Sequence, residues 1–224
     1  MLGLLLVVPA SEPPPPGVAA VLTLEASGQD QAALALAEEL SRRTPPSVLP
    51  HLEAVRLGLK LGREPATLEG HLQAARALAP DNPRVRYLAA LLKEGEGDDA
   101  AARGLYLEAI ALRHSYSEAR ARLLALAIRS RDWGLAEAQL RALLVLGEYS
   151  LGKRLQLARV LEEGGKLSQA ETVLLALHYE EPANATVTAA LADYYERHNR
   201  MQEALALRRA APAKKLRPLQ PSRR

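Results

Sequence analysis

An alanine recurs every 34 residues through the second half of the sequence, and a leucine recurs in a parallel register with the same period. The alanines are Ala102, Ala136, Ala170 and Ala204, and the leucines are Leu123, Leu157 and Leu191. A fixed period of this length is typical of repeat proteins, in which each unit buries its apolar face by stacking on the next one. The chain is therefore expected to fold as an array of similar units from about residue 49 to 211.

Each period contains two amphipathic segments whose apolar residues recur at helical spacing. In one unit the first stripe is Leu155, Ala158 and Leu161, and the second is Ala170, Leu174 and Leu177. Two glycines, at positions 164 and 165, separate the stripes, and Pro182 follows the second one. Since glycine and proline both interrupt helices, this pattern predicts a helix, a tight turn and a second helix.

The start of the second helix is predicted from capping signals. Ser168 and Glu171 have the spacing of a capping box, and Asn199 and Gln202 repeat it in the next unit. Ala170 then lies in the first helical turn, where two antiparallel helices joined by a tight turn come closest together. A small side chain there lets the two helix axes approach, whereas leucine would force them apart.

The composition favours helices throughout the repeats. Phenylalanine and cysteine are absent, tryptophan occurs once, and leucine and alanine dominate the apolar residues. Leucine and alanine have high helix propensity, so the predicted fold class is all-α. The lack of cysteine excludes disulfides, thiolate metal sites and a cysteine nucleophile.

The pattern resembles the tetratricopeptide repeat (TPR), a helix–turn–helix unit of 34 residues with a small residue in its second helix and a closing proline. The matching residues are Leu157, Ala158, Leu161, Ala170, Leu174 and Pro182 in one unit, and Leu191, Ala192, Tyr195 and Ala204 in the next. The resemblance implies an α-solenoid of about six antiparallel helix pairs over residues 17–211, beginning with a degenerate unit over 17–47. The unit at 83–116 carries "KEGEGDD" in its turn, one residue out of step with the others. Other helical solenoids remain an alternative, although those with longer periods fit the spacing poorly.

The two ends of the chain differ from the repeats. Residues 1–16 are interpreted as a candidate signal peptide, cut before Ser11, and a non-helical polyproline spacer at 13–16. A loosely packed N-terminus is the alternative. Residues 212–224 hold five basic residues and no acid, and a disordered basic tail is expected there. Because the whole chain carries a formal charge of +3 and the tail +5, the remainder carries −2, which does not favour nucleic acid as a partner.

Residue patterns that indicate catalysis or metal binding are missing. The histidines are His51, His71, His114, His178 and His198. They fall at five different places in the repeat, so they are expected on different faces, and no pair has the i, i+4 spacing of a helical metal site. The sequence also lacks a phosphate-binding loop and a nucleophile motif. We therefore expect no enzymatic activity, no cofactor, no metal site and no small-molecule substrate. No apolar run approaches the roughly 20 residues of a membrane-spanning helix.

The TPR resemblance implies a groove that is lined by the first helices and binds a peptide or helix of a partner protein. The family's groove-facing places correspond here to Arg122, Arg129, Gln156, Arg159, Asp193 and Arg197. Arginine dominates this set and binds carboxylates in bidentate fashion, which predicts a partner with acidic or carboxylate groups. A solvated helix face without a partner is the alternative. Arg208 replaces the leucine found one unit earlier at Leu174, which suits a terminal helix with nothing stacked behind it.

Three functions are compatible with these features. The first is a non-catalytic protein–protein interaction scaffold. With a signal peptide and proline spacer, such a chain resembles exported bacterial repeat proteins that help assemble envelope machines, including the pilotins of type IV pilus secretins. Those proteins are commonly lipidated on a cysteine, which this sequence lacks. The second is a cytoplasmic adaptor or chaperone-like module, and the third is a nucleic-acid or membrane-surface binder that acts through the basic tail. The expected location is the periplasm with a functional signal peptide and the cytoplasm without one.

Overall fold

The computed structural model describes residues 16–43 and 45–210, and this part of the chain consists of α-helices without a β-strand. The first six are α1 (Pro16–Ala26), α2 (Asp30–Ser41), α3 (Val48–Lys60), α4 (Pro65–Leu78), α5 (Pro83–Gly95) and α6 (Asp99–Leu112). The other six are α7 (Ser117–Arg129), α8 (Trp133–Val145), α9 (Leu151–Glu163), α10 (Leu167–Glu180), α11 (Ala185–Arg197) and α12 (Met201–Ala210). The all-α prediction is confirmed, and the candidate signal peptide and the basic tail lie outside the described residues.

Consecutive helices pack as pairs. Contacts join α1 to α2, α3 to α4, α5 to α6, α9 to α10, and α11 to α12. Short turns between such helices make them antiparallel hairpins. The chain divides into two compact units, Met1–Ala119 and Arg120–Arg224, and each is considered by itself below.

The helix starts follow the 34-residue period without a slip. Helices α5, α7, α9 and α11 begin at residues 83, 117, 151 and 185, and α6, α8, α10 and α12 begin at 99, 133, 167 and 201. The expectation that "KEGEGDD" is one residue out of step is therefore wrong. Gly97 takes the left-handed place in this turn, with φ of 80°, and Arg131, Gly165 and Asn199 take it at the same spacing in the later turns.

The predicted capping boxes are also wrong. Ser168 is the second residue of α10 and lies inside the helix, whereas the N-cap place belongs to Lys166. Asn199 has φ of 60° and serves as the left-handed residue of its turn. Side-chain caps occur instead in two other turns, where Asp98 and Asp132 accept hydrogen bonds from the backbone N–H groups of the residues three positions on. Because the left-handed residue directly precedes the N-cap in these turns, each second helix begins earlier than the Ser168 pattern suggested.

The first helix begins at Pro16, so the expectation that all of residues 13–16 are non-helical is wrong at its last position. Proline is well tolerated in the first helical turn, because the N–H it lacks would have no partner within the helix. The described helices therefore lie between residues 16 and 210.

The residues of the two sequence registers are buried in the structure. Ala102, Ala136, Ala170 and Ala204 have 0% exposed surface, and Leu123, Leu157 and Leu191 are exposed by 4% or less. In the second unit one apolar cluster contains residues of every helix from α7 to α12. Each helix pair thus contributes its apolar face to a core shared with its neighbours, as expected for stacked repeats.

In the first compact unit, a buried carboxylate connects α3 to α5. Glu53 of α3 is only 3% exposed. Its two oxygens accept hydrogen bonds from Arg56 Nε at 2.8 Å and from Arg84 Nη2 of α5 at 2.5 Å. Arg56 in turn donates to Glu25 of α1 at 2.9 Å. Hydrogen-bonded charges of this kind are the form in which a carboxylate is tolerated inside a protein.

Candidate functional site

Helices α9 and α11, the first helices of the last two described helix pairs, border a cleft of about 200 Å³, called here the α9–α11 cleft. Its apolar lining comes from Leu155, Ala158, Leu174 and Ala190, and its polar lining from Arg159, Glu162, Asp193 and Arg197. Arg159 and Asp193 occupy equivalent places in successive 34-residue repeats, because they are 34 residues apart. The repeat therefore brings side chains of α9 and α11 together along one face.

Glu162 is the electrostatic centre of the α9–α11 cleft. Its side chain is 10% exposed and accepts hydrogen bonds from Arg197 Nε at 2.7 Å and Arg197 Nη2 at 2.9 Å. Nε2 of His198 lies 3.1 Å from the same carboxylate, and Nη1 of Arg159 lies 4.0 Å away. Burial by itself raises the pKa of Glu162, but the hydrogen bonds from Arg197 and His198, together with the charges of Arg197 and Arg159, outweigh it, so the pKa is lowered. Glu162 is therefore a fixed anion inside the cleft.

The remaining charges of this cleft are also paired in part. Nη2 of Arg159 lies 2.7 Å from Glu163, while its side chain stays 55% exposed. Asp193 accepts from Arg208 Nη2 at 2.8 Å, and Glu196 accepts from Arg208 Nε at the same distance. Arg208 of the last helix thus folds back onto α11. A guanidinium carries five N–H donors, so Arg159 has more donors than its contacts with Glu162 and Glu163 use.

A second cleft, of about 440 Å³, lies beside the first and is called here the Trp133 cleft. It is lined by Ile128, Arg131, Trp133, Gln156, Arg159, Val160 and Glu163. These residues come from the end of α7, the turn after it, the first residue of α8 and the C-terminal half of α9. Arg159 lines both clefts, so the two form neighbouring parts of one surface in the second unit.

Neither a protein-family model nor a curated protein matches the sequence. Solved structures do match the fold. A tetratricopeptide repeat protein from Parabacteroides merdae superposes with a TM-score of 0.60 at 18% sequence identity, over 85% of this chain and 75% of that chain. YrrB, described as a TPR protein with an unusual peptide-binding site, gives a TM-score of 0.62 at 16% identity, over 78% of this chain and 89% of that chain.

The chain has a TPR fold. A further TPR-like match is the structure of Naa15/Naa10 bound to HypK-THB, with a TM-score of 0.66 at 14% identity, over 85% of this chain and 30% of that chain. At such identities the likeness establishes the TPR-like helical-repeat architecture and leaves the function of this chain to its own residues.

The structure brings together some of the residues predicted from the TPR resemblance and leaves others apart. Arg159, Asp193 and Arg197 line the α9–α11 cleft, and Gln156 lines the Trp133 cleft. Arg122 and Arg129 are exposed on α7 and belong to the lining of neither cleft. The binding role of all six residues remains a prediction.

Sequence reasoning missed the acidic residues and the tryptophan of these clefts. Glu162 and Glu163 follow Arg159 by three and four residues, so helical spacing could have indicated their pairing with it. Trp133 is the first residue of α8. Its position beside α9 depends on how two successive repeats pack, and the spacing of residues within one repeat does not reveal that packing.

The histidines do not all lie apart. His51 of α3 and His71 of α4 approach within 3.1 Å through their Nδ1 atoms, so the expectation of five different faces is wrong for this pair. They share no helix, and their contact arises from the antiparallel packing of α3 and α4. In the described part of the chain, no group of three or more histidine, cysteine or acidic side chains could hold a metal ion. No helix in the same residues has both the length and the apolar character of a membrane span.

Proposed function

We propose that the chain is a non-catalytic scaffold that holds a segment of a partner protein in the α9–α11 cleft. The observation that carries this proposal is the cleft itself, with Leu155, Ala158 and Leu174 as apolar lining and exposed guanidinium N–H groups of Arg159 at its rim. An apolar surface with a few charged groups is the usual form of a peptide-binding groove. The peptide-binding site named for YrrB gives independent support for this use of the fold.

The proposed partner segment carries a carboxylate that binds Arg159. Arg197 is held by two hydrogen bonds to Glu162, so its charge is already largely neutralised. Arg159 is 55% exposed and has one close acidic contact, with Glu163, which leaves N–H donors for a ligand. Apolar side chains of the segment would then cover the leucine and alanine lining. Binding is expected to be weakened by salt, because the charged contact is exposed.

Selection from a library of random twelve-residue peptides tests this proposal. The folded chain should enrich peptides with Asp or Glu, and Arg159→Glu should abolish that enrichment while lowering the thermal midpoint only slightly, because Arg159 is exposed and Glu162 keeps its hydrogen bonds from Arg197. The control is Arg209→Glu, which makes the same charge change at an exposed position of α12 that lines neither cleft. Failure to enrich any peptide, or equal enrichment by Arg159→Glu, would refute the proposal.

A finer part of the proposal concerns location. We propose that residues 1–10 direct export and that the scaffold takes part in assembling a bacterial envelope machine, with a cytoplasmic adaptor as the alternative. The support is the apolar run from Leu2 to Val8, together with small residues at the −3 and −1 positions, Val8 and Ala10, of a cut before Ser11. Intact-mass measurement on separated cell compartments tests it. A mass beginning at Ser11 outside the cytoplasm supports export, and a mass beginning at Met1 in the cytoplasm contradicts it.

A further inference from the structure

The turn between α7 and α8 differs from the corresponding turns of the other helix pairs. In each of these turns one residue has positive φ. The residue is glycine at Gly28, Gly62, Gly97 and Gly165, asparagine at Asn199, and arginine at Arg131. Glycine adopts this left-handed conformation without strain and asparagine tolerates it, whereas arginine adopts it only with strain between its β-carbon and the backbone. Arg131, with φ of 57°, therefore keeps a backbone strain that glycine would remove.

The side chain of Arg131 is directed to the Trp133 cleft and has no ionic partner there. It is exposed and lines the cleft. Within residues 16–43 and 45–210 it makes no ion pair and no hydrogen bond. The adjacent Arg159 is paired with Glu163, so the three charged side chains of the cleft leave one unneutralised positive charge. Strained backbone positions cluster at active sites, ligand clamps and switch regions.

The apolar part of the same cleft lies next to this charge. Trp133 is half-buried and is flanked by Ile128 and the buried Val160. The lack of a side chain at Gly164 leaves room for Trp133, because a β-carbon built at that glycine would lie only 3.1 Å from Cβ of Trp133. An indole with apolar neighbours provides a large contact area for an apolar or aromatic side chain.

We propose that the Trp133 cleft is a second peptide subsite, which binds an apolar side chain against Trp133 and the carboxylate of an adjacent acidic residue on Arg131. This inference rests on the proposed function, and it adds the chemistry of the partner at a position beside the α9–α11 cleft. Arg159 lines both clefts, so one extended segment reaches both subsites. The charge of Arg131 selects the acidic residue, and the tryptophan selects its apolar neighbour.

The test uses the tryptophan as its own reporter, since Trp133 is the sole tryptophan of the sequence. Two blocked twelve-residue peptides of glycine and serine serve as probes, one with a central Leu-Asp pair and one with Leu-Asn. The Leu-Asp peptide should change the Trp133 emission saturably, and the Leu-Asn peptide should bind at least tenfold more weakly. A tenfold loss is the size expected when one charge-assisted hydrogen bond is removed.

Arg131→Gly separates binding from folding. It removes the cation and also the backbone strain, so the thermal midpoint should be equal or higher while affinity for the Leu-Asp peptide falls at least tenfold. Arg131→Lys keeps the charge and should retain part of the affinity. Asn199→Gly is the matched control, because it makes the same backbone change in a turn that lines neither cleft, and it should bind as the unaltered chain does.

The subsite is overturned if Arg131→Gly binds the Leu-Asp peptide as well as the unaltered chain does, if the Leu-Asn peptide binds equally well, or if neither peptide changes the emission. The proposed function stands in those cases provided that the peptide library still yields sequences that depend on Arg159. If the library yields none, both proposals fail.

Discussion

Glu53 shows how single residues hold the first unit together. Its side chain is 4% exposed and accepts hydrogen bonds from Arg56 and Arg84, whose side chains are 30% and 32% exposed. Removing one partner of a buried charge pair costs about 3–5 kcal/mol when the other charge stays buried. Here both arginines reach water, so the cost should be smaller. We expect Glu53→Gln to lower the free energy of unfolding by about 1–3 kcal/mol, measured by urea denaturation.

The control for Glu53 is Glu39→Gln in α2. Glu39 and Arg43 also form an ion pair, but their side chains are 62% and 61% exposed. Exposed pairs contribute about 0–1 kcal/mol, so this variant should unfold within about 0.5 kcal/mol of the unaltered chain. Equal losses in the two variants would mean that burial of Glu53 does not determine its contribution.

The His51–His71 contact predicts a pH dependence. Burial, and secondarily the charge of His71, lower the pKa of His51 in the folded protein. The unfolded chain therefore takes up protons more readily near pH 6.5, and protonation favours unfolding. The thermal midpoint should be highest above pH 7 and should fall as the pH decreases below about 6.5. His51→Asn should reduce this dependence, and an unchanged profile would contradict the assignment.

The Glu25 carboxylate of the same unit titrates outside this window. The Arg56 guanidinium, by its hydrogen bonds, holds the pKa of Glu25 at about 2. A carboxylate with a lowered pKa contributes stability above its unfolded pKa of about 4.3, and that stability is lost as the pH falls towards 2. The loss associated with Glu25 should therefore appear only below about pH 4.5, separately from the histidine effect.

Two glycines of the first unit should respond in opposite directions to the same substitution. Gly97 has φ of 80°, whereas Gly104 is an exposed residue inside α6, and a β-carbon would meet nothing within 4 Å at either position. Gly97→Ala should lower the free energy of unfolding by about 1–2 kcal/mol, because alanine is strained at positive φ. Gly104→Ala should raise it by about 0.5–1 kcal/mol, since alanine is the better helix former. Urea denaturation of both variants checks the turn geometry, and a stabilised Gly97→Ala would contradict it.

At the scale of the helix pair, Ala170 determines how closely α9 and α10 can pack. It has no exposed surface and belongs to the core cluster of the second unit. Ala170→Leu should destabilise by about 1–3 kcal/mol through overpacking. Ala176→Leu makes the same change at an exposed position of α10 and should be nearly neutral. A thermal midpoint that is unchanged by Ala170→Leu would contradict the close packing of the two helices.

The elements that sequence predicted well are those fixed by periodicity. The spacing of Ala136 and Ala170 by one period gave the correct repeat, because burial of one face constrains every unit in the same way. The details of the turns were predicted less well. Ser168 has the residue type and spacing of a cap, but the backbone bonds of the turn around Gly165 place the helix start one residue before it. Turn geometry thus overrides a local capping preference, which a pattern of residue types does not show.

The repeat register explains why Arg159 and Asp193 line the same cleft, since residues 34 apart occupy equivalent places, and their role in binding stays a prediction. It did not reveal that Glu162 neutralises Arg197, because a groove inferred from a family pattern includes only the places that the family uses. The unpaired charge of Arg131 could not be predicted from the sequence either, since it depends on a turn conformation and on the packing of α9 beside that turn.

At the scale of the whole molecule, the proposed binding surface lies in one part of the described helices. The α9–α11 cleft and the Trp133 cleft both belong to the second compact unit, Arg120–Arg224. Partner binding is therefore proposed for one face of that unit. We expect the opposite face of the same helix pairs to make no contact with the partner.

Site-specific photocrosslinking in living cells tests this central claim most directly. A benzoyl-phenylalanine is placed at Gln156, which is exposed at the Trp133 cleft, or at Ala138, which is exposed on α8 and lines neither cleft. The account predicts a covalent adduct with another protein from position 156, its loss when Arg159→Glu is added, and no adduct from position 138. Adducts from position 138 alone, the same adducts from both positions, or no adduct from position 156 would contradict it.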